Sequence, residues 1–170
     1  ANPKLVVGFS DITALHRAIA AKAGFVTLHA PNAGSSWGRF SVEAFKAIAF
    51  EGATPTWRNP VAMEDRLVQR RGRTRTTTPG KATGWLLGGN LAVLTSLVGT
   101  PYLPDFTGAI LFIEEIDEAE YRIDRLLTQL GQAGVLGRLA GVVFGQCTNC
   151  RTAEGYSGFT LNDVLDQHLK

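Results

Sequence analysis

The apolar run Leu5-Val6-Val7 breaks at Gly8-Phe9-Ser10-Asp11. Beyond it the spacing turns helical, with Ile12, Leu15, Ile19 and Ala23 on one stripe, stopped by Gly24. Residues 4–9 read as a buried strand and "FVTLHA" as the next one. Strand, helix and strand in so short a span make a βαβ unit. The two strands are therefore predicted to be parallel neighbours joined by a right-handed crossover. A loop at 31–36 leads to a short helix through "VEAFKAIAF", with Ser41 as its cap.

From 52 to about 81 the periodicity fades and Pro, Thr, Arg and Gly dominate, which reads as a connection between domains. "GWLLGGNLAVLTSLVGT" predicts a Gly-rich turn into a short helix, and "AILFIEEI" a strand. In "EAEYRIDRLLTQLGQAG" the helical spacing puts Ile123, Leu126, Leu127 and Leu130 on one face. "LAGVVFGQ" is a further strand, and "TLNDVLDQHLK" a helix opened by a Thr160/Asp163 capping box. This alternation places the chain in the α/β class. The chain ends inside that last helix, which suggests an excerpt of a longer protein.

Composition narrows the function classes. The chain has 170 residues, 45% of them hydrophobic, so a packed core is expected rather than disorder. With 17 basic and 15 acidic residues, the balance argues against nucleic acid as a partner. The one basic cluster, "RLVQRRGRTR", reads as a solvated linker. No apolar run approaches the roughly 18 residues of a membrane span. Cys147 and Cys150 form a lone CxxC without the further ligands that zinc needs, and are expected to be reduced thiols in a cytoplasmic protein.

Two stretches carry candidate chemistry. Ser10 sits between a predicted strand and a predicted helix, where a nucleophile elbow exposes its hydroxyl and the helix start offers N–H groups to an oxyanion. The plainer reading is that Ser10 or Asp11 caps the helix. A serine nucleophile needs a base. His16 recedes along the helix, His29 lies at the carboxyl end of the neighbouring strand, where sites in parallel sheets gather, and His168 continues an apolar spacing as if covering core. The second stretch, "LFIEEIDEAEYRIDRLL", ends an apolar strand in Glu114-Glu115. Helix-start acids and ion pairs explain Glu118, Glu120 and Arg122. They do not explain Glu114, which alternation turns away from Ile113 at the strand's carboxyl end, where a carboxylate could orient a histidine.

"GFSDITALH", "GGNLAVLTSLVGTPYLPD", "ILFIEEIDEAEYRIDRLLTQLGQAG" and "GVVFGQ" follow one another in an order and at distances that resemble the LD-carboxypeptidase family of serine peptidases, which includes the microcin immunity peptidases. The resemblance runs over essentially the whole chain. It implies a two-domain enzyme: a Rossmann-like parallel-sheet nucleophile domain, of which 1–55 would be the C-terminal part, a connector at 56–81, and an α/β domain at 82–170 with a mixed or barrel-like sheet. It also implies a Ser-Glu-His triad, with Ser10 the nucleophile, Glu114 orienting the histidine, and the backbone N–H of Asp11 an oxyanion donor. The family histidine belongs to a downstream Gly-His segment that His168 does not match, so these residues alone are expected to be inactive. The implied reaction releases terminal D-alanine from a murein tetrapeptide in cell-wall recycling, without cofactor or metal, in a cytoplasmic homodimer. The "DE..YRIDR" wording favours this branch over the alternative, a peptidase acting on aminoacyl-nucleotide antibiotics. A non-catalytic binding module with the same fold is the further alternative.

Overall fold

The computed structural model describes residue 2 and residues 4–59, 73–150 and 158–170. Most of the basic cluster at 66–75 and half of the expected connector at 56–81 lie outside the described residues. The chain divides into two compact units, one formed by Ala1–Ser35 with Gly80–Lys170, the other by Ser36–Pro79.

In the first unit β1 (Val7–Gly8) leads through α1 (Ile12–Ala23) to β2 (Leu28–His29). β1 and β2 pair in parallel, Val7 opposite Leu28 and Gly8 opposite His29, as the βαβ pattern predicted. Both strands are shorter than the apolar runs suggested. After α2 (Arg39–Ala49) in the other unit, the chain returns at β3 (Leu86–Asn90), α3 (Leu91–Ser96), β4 (Ile110–Ile116), α4 (Glu120–Gln132), β5 (Gly141–Thr148) and α5 (Leu161–Leu169). β3, β4 and β5 form a parallel sheet in that order. Among the described residues this sheet is parallel throughout, not mixed or barrel-like.

The core lies on the face of this sheet that α3, α4 and α5 cover. Alternation along β4 sends Leu111, Ile113 and Glu115 inward and Phe112 and Glu114 to the other side. Leu111 and Ile113 meet Leu91 and Leu94 of α3 and Ile123 and Leu127 of α4, all essentially without solvent exposure. Each such side chain contributes roughly 1.5–3 kcal/mol by leaving water. The capping box at the start of α5 forms as predicted, Thr160 bonding Asp163 in both directions. His168 does more than cover core: its Nε2 lies 2.7 Å from Asp124 Oδ1, tying α5 to α4.

Further expectations are corrected. The expected apolar stripe of α1 is not its buried face: Leu15 is exposed, and Thr13, His16 and Arg17 are the residues turned inward. Thr13 packs on Gly89 of β3, and its Oγ1 accepts the Asn90 N–H at 3.0 Å, so a polar docking contact overrides hydrophobic periodicity. Gly88 and Gly89 are not a turn but part of β3, which they allow to run against its neighbours. A Cβ on Gly88 would collide with the Phe112 carbonyl oxygen, and one on Gly89 with Thr13 Oγ1. The cysteines are not free thiols. Cys147 and Cys150 are joined by a disulfide across a turn, with Asn149 at φ 55 and the two Cα atoms 5.4 Å apart, within bridging range.

In the second unit α2 (Arg39–Ala49) starts from Gly38, so Ser41 lies inside the helix rather than at its cap. Glycine in extended geometry serves as the cap, and no side chain bonds the helix start. Phe45 packs edge-on to Trp37 and Phe50, giving the helix an aromatic face.

Gly89→Ala should lower the stability of the full-length protein by about 2–3 kcal/mol, through the clash with Thr13 and the unfavourable φ. Gly137→Ala, where an added Cβ meets nothing within 4 Å, should stay within about 0.5 kcal/mol of the parent. Urea unfolding of the two variants measures the difference.

Candidate active site

The carboxyl ends of β1 to β4 share one edge of this unit. Ser10 follows β1, His29 ends β2, Asn90 ends β3 opposite Glu114 on β4, and Glu115 comes next. All five are chemistry-bearing residues that parallel strand direction places at these carboxyl ends.

Ser10 is exposed and has φ 59, the left-handed region that a residue with a Cβ enters at a cost of roughly 1–2 kcal/mol. The turn is tight because α1 folds back over β1: a Cβ on Gly8 would lie 2.8 Å from the Ile12 side chain. Asp11 occupies the cap position of α1, as the plainer reading allowed, without capping it through its side chain. The N–H groups of Ile12, Thr13 and Ala14 close turns onto the carbonyls of Phe9, Ser10 and Asp11, while the Asp11 N–H beside the serine makes no such bond.

His16 anchors the elbow from behind. It is fully buried, and its Nε2 donates to the Gly8 carbonyl at 3.0 Å. Burial lowers its pKa, opposed by that hydrogen bond. Arg17 beside it is 5% exposed, with Nε and one terminal nitrogen unpartnered, and desolvation pulls its pKa down to about 10.

Asn90 is the hub between α1 and the second sheet. Its N–H donates to Thr13 Oγ1, its Oδ1 accepts the Val93 N–H at the start of α3, and its Nδ2 donates to Glu115 Oε1 at 2.8 Å. Glu115 also accepts the N–H of Ala92 at 2.8 Å and of Ile116 at 2.9 Å. It is 3% exposed, so it is a buried structural carboxylate rather than a solvated acid at a strand end.

Glu114 points the other way. Its Oε1 is buried without a hydrogen bond and lies 3.9 Å from His29 Nε2. Burial first, and the Glu115 charge second, raise its pKa, with the nearby Asn90 amide acting in the opposite direction. His29 is pushed down to about 4, by desolvation and then by the positive character of His16 and Arg17. His168 is at the α4–α5 contact with Asp124 and takes no part in this edge.

Ser10, the Asp11 N–H and Glu114 thus all stand at the carboxyl edge that the strand order predicted. Asn90, Thr13 and Arg17 were missed. The signal for Asn90 was present, since Asn before an apolar helical run is a cap. Its bonds to Thr13 and Glu115 depend on long-range packing and left no local mark.

Fold and edge define an α/β protein whose polar groups gather beyond parallel strands. The chain belongs to the LD-carboxypeptidase family, a family of serine carboxypeptidases: residues 1–30 match its N-terminal domain and residues 83–170 its C-terminal domain. It is 37% identical over 173 residues to the "Probable murein peptide carboxypeptidase" of Bacillus subtilis, covering 99% of this chain and 51% of that protein. It is 28% identical over 190 residues to the microcin self-immunity protein MccF of Escherichia coli, covering 98% of this chain and 55% of that one. The crystal structure of muramoyltetrapeptide carboxypeptidase from Oxalobacter formigenes superposes with a TM-score of 0.75 at 28% identity, covering 96% of this chain and 53% of that one. The chain therefore spans about half the length of the relatives it matches.

Glu115→Gln should destabilise the full-length protein by about 2 kcal/mol, because the new amide turns a donor toward groups that are themselves donors. Thermal unfolding measures it. The histidine also sets a pH dependence. Its folded pKa lies below the unfolded 6.5, so the unfolded chain takes up the extra proton between about pH 4 and 6.5, and stability falls as pH drops through that window. Glu114 has the opposite sign: its folded pKa is raised above 4.5, so its contribution is lost as pH rises from there. Glu114→Gln removes this offset, and unfolding free energy should then fall more steeply on acidification from pH 6.5 to 4.5.

Proposed function

We propose that the protein is a serine LD-carboxypeptidase that hydrolyses the amide bond between an L-centre and a terminal D-amino acid, releasing D-alanine from murein tetrapeptide. The observation that carries this reading is the exposed Ser10, strained at φ 59 on a strand–helix elbow, at the same sheet edge as a half-buried, outward-turned Glu114. Family membership and the murein-peptide relatives supply the substrate class.

In this reading the Ser10 hydroxyl attacks the scissile carbonyl, and a histidine base takes its proton. The Asp11 N–H receives the developing oxyanion. Glu114 fixes the tautomer of the base and stabilises the imidazolium. The base then returns the proton to the leaving D-amino acid, and water hydrolyses the acyl-enzyme. The base is the histidine that the family resemblance places in a Gly-His segment, a role filled by none of His16, His29 and His168. No cofactor or metal has a part.

The reading includes a nucleophile domain that extends to about residue 55, a connector at 56–81 and a C-terminal domain from 82. The two matched family domains leave residues 31–82 between them, which supports a joining stretch there. A homodimer and a cytoplasmic location rest on the family resemblance. No helix among the described residues is long and apolar enough to cross a membrane.

A second reading, hydrolysis of aminoacyl-nucleotide conjugates, draws on the similarity to MccF. Release of D-alanine from tetrapeptide, set against cleavage of an aminoacyl sulfamoyl nucleoside, separates the two. In the full-length protein Ser10→Ala should cut D-alanine release by about a thousandfold or more with the fold retained, and Glu114→Gln should be comparably severe. Near-normal turnover by Ser10→Ala would sink the assignment.

A further inference from the structure

His29 is a half-buried histidine that the reaction as described does not use. Its ring stands edge-on to Phe112, with centroids 5.3 Å apart, and its centroid is 6.2 Å from that of His16. Phe112 and Glu114 lie on the same face of β4, two residues apart. A ring packed on Phe112 therefore reaches along the strand to Glu114. Its Nε2 faces Glu114 Oε1 across 3.9 Å, and that oxygen is buried with no other partner. The Asn90 amide bonds Glu115 and also acts on the Glu114 carboxylate, yet Oε1 itself receives no hydrogen bond from it. Glu115 is saturated in turn by the N–H groups of Ala92 and Ile116.

We propose that His29 is a positioning residue whose neutral Nε2–H holds one oxygen of the Glu114 carboxylate, leaving the other directed at the catalytic imidazole. This rests on Glu114 being the orienting carboxylate. A carboxylate that must hold one imidazole needs its rotation fixed by a second donor, in the way that partners behind a ligand or base commonly orient it. The 3.9 Å separation is a contact that closes with a small side-chain rotation, as site hydrogen bonds do when substrate enters.

The surrounding charges keep this donor neutral. His16 and Arg17 on α1 face it, Glu114 and Glu115 stand on β4, and Asn90 ends β3. Burial and the α1 groups disfavour a proton on the ring and outweigh the carboxylates, so a pKa of about 4 leaves one N–H to place. Nδ1 is buried without an acceptor, whereas Nε2 faces a carboxylate. The proton therefore belongs on Nε2. A neutral donor steadies Glu114 without cancelling the charge it offers to the imidazolium.

The test uses the full-length protein with His29→Phe and His29→Gln. Loss of the donor should lower kcat for D-alanine release about 10–100-fold with KM little changed. It should also move the acid limb of the kcat/KM profile up by roughly half to one pH unit, because Glu114 then holds its proton longer. His29→Gln retains an N–H and should recover most of both. Equal losses in the two variants with an unmoved acid limb would reduce His29 to packing. Inactivation by both to the level of Ser10→Ala would make it the base itself and overturn the positioning role. A readout independent of turnover is the 15N spectrum of labelled histidine. Protonation of His29 at Nε2, neutral at pH 7 and perturbed by Glu114→Gln, is expected. An Nδ1–H tautomer would overturn the proposal even if the peptidase reading stands. Absence of D-alanine release from the unsubstituted protein would count against the peptidase reading alone, since the tautomer still judges the contact.

Discussion

The side chain and N–H of Asn90 hold the two halves of the larger unit in register. One residue bonds Thr13 on α1, caps α3 through Val93, and donates to the buried Glu115 on β4. Each bond is worth about 1 kcal/mol net, but each group left unpaired in this interior would cost about 1–3 kcal/mol. The network is therefore satisfied as a set or disrupted as a set. Its geometric consequence is larger than its energy. Thr13 lies one turn from Ser10 and Glu115 is adjacent to Glu114, so the same bonds that dock α1 on β3 fix the elbow relative to the carboxylate.

That arrangement explains why two consecutive glutamates have separate lives. Strand alternation sends Glu115 into the core face, where three donors meet it, and Glu114 to the opposite face, where it meets an imidazole across a gap. The charge of the first raises the pKa of the second. A carboxylate with incomplete hydrogen bonding, held at a strand end by a fully bonded neighbour, is poised to accept a further partner. The elbow is built on the same plan. Ser10 is strained in the left-handed region, and His16 clamps the Gly8 carbonyl behind it, so that the strain is held by buried structure rather than relieved.

The amino-acid pattern by itself determined the α/β class, the parallel βαβ start, the inward face of α4 and the capping box of α5. In each case the deciding signal is local: a period of two or 3.6, a glycine stop, a Thr-x-x-Asp spacing. It also placed Ser10 and Glu114 at strand ends, because strand direction and alternation follow from the sequence without long-range contacts. Tertiary structure alone decided which face of α1 is buried, since Thr13 seats on Gly89 of β3 and His16 bonds the Gly8 carbonyl, which turns the more apolar Leu15 outward. It decided that Gly88 and Gly89 are strand rather than turn, because only the approach of Phe112 and α1 demands missing side chains there. The pairing of Cys147 with Cys150, the meeting of His29 with Glu114, and the Asn90 hub join positions whose distance is set by how the chain folds back on itself, a quantity that no local periodicity encodes.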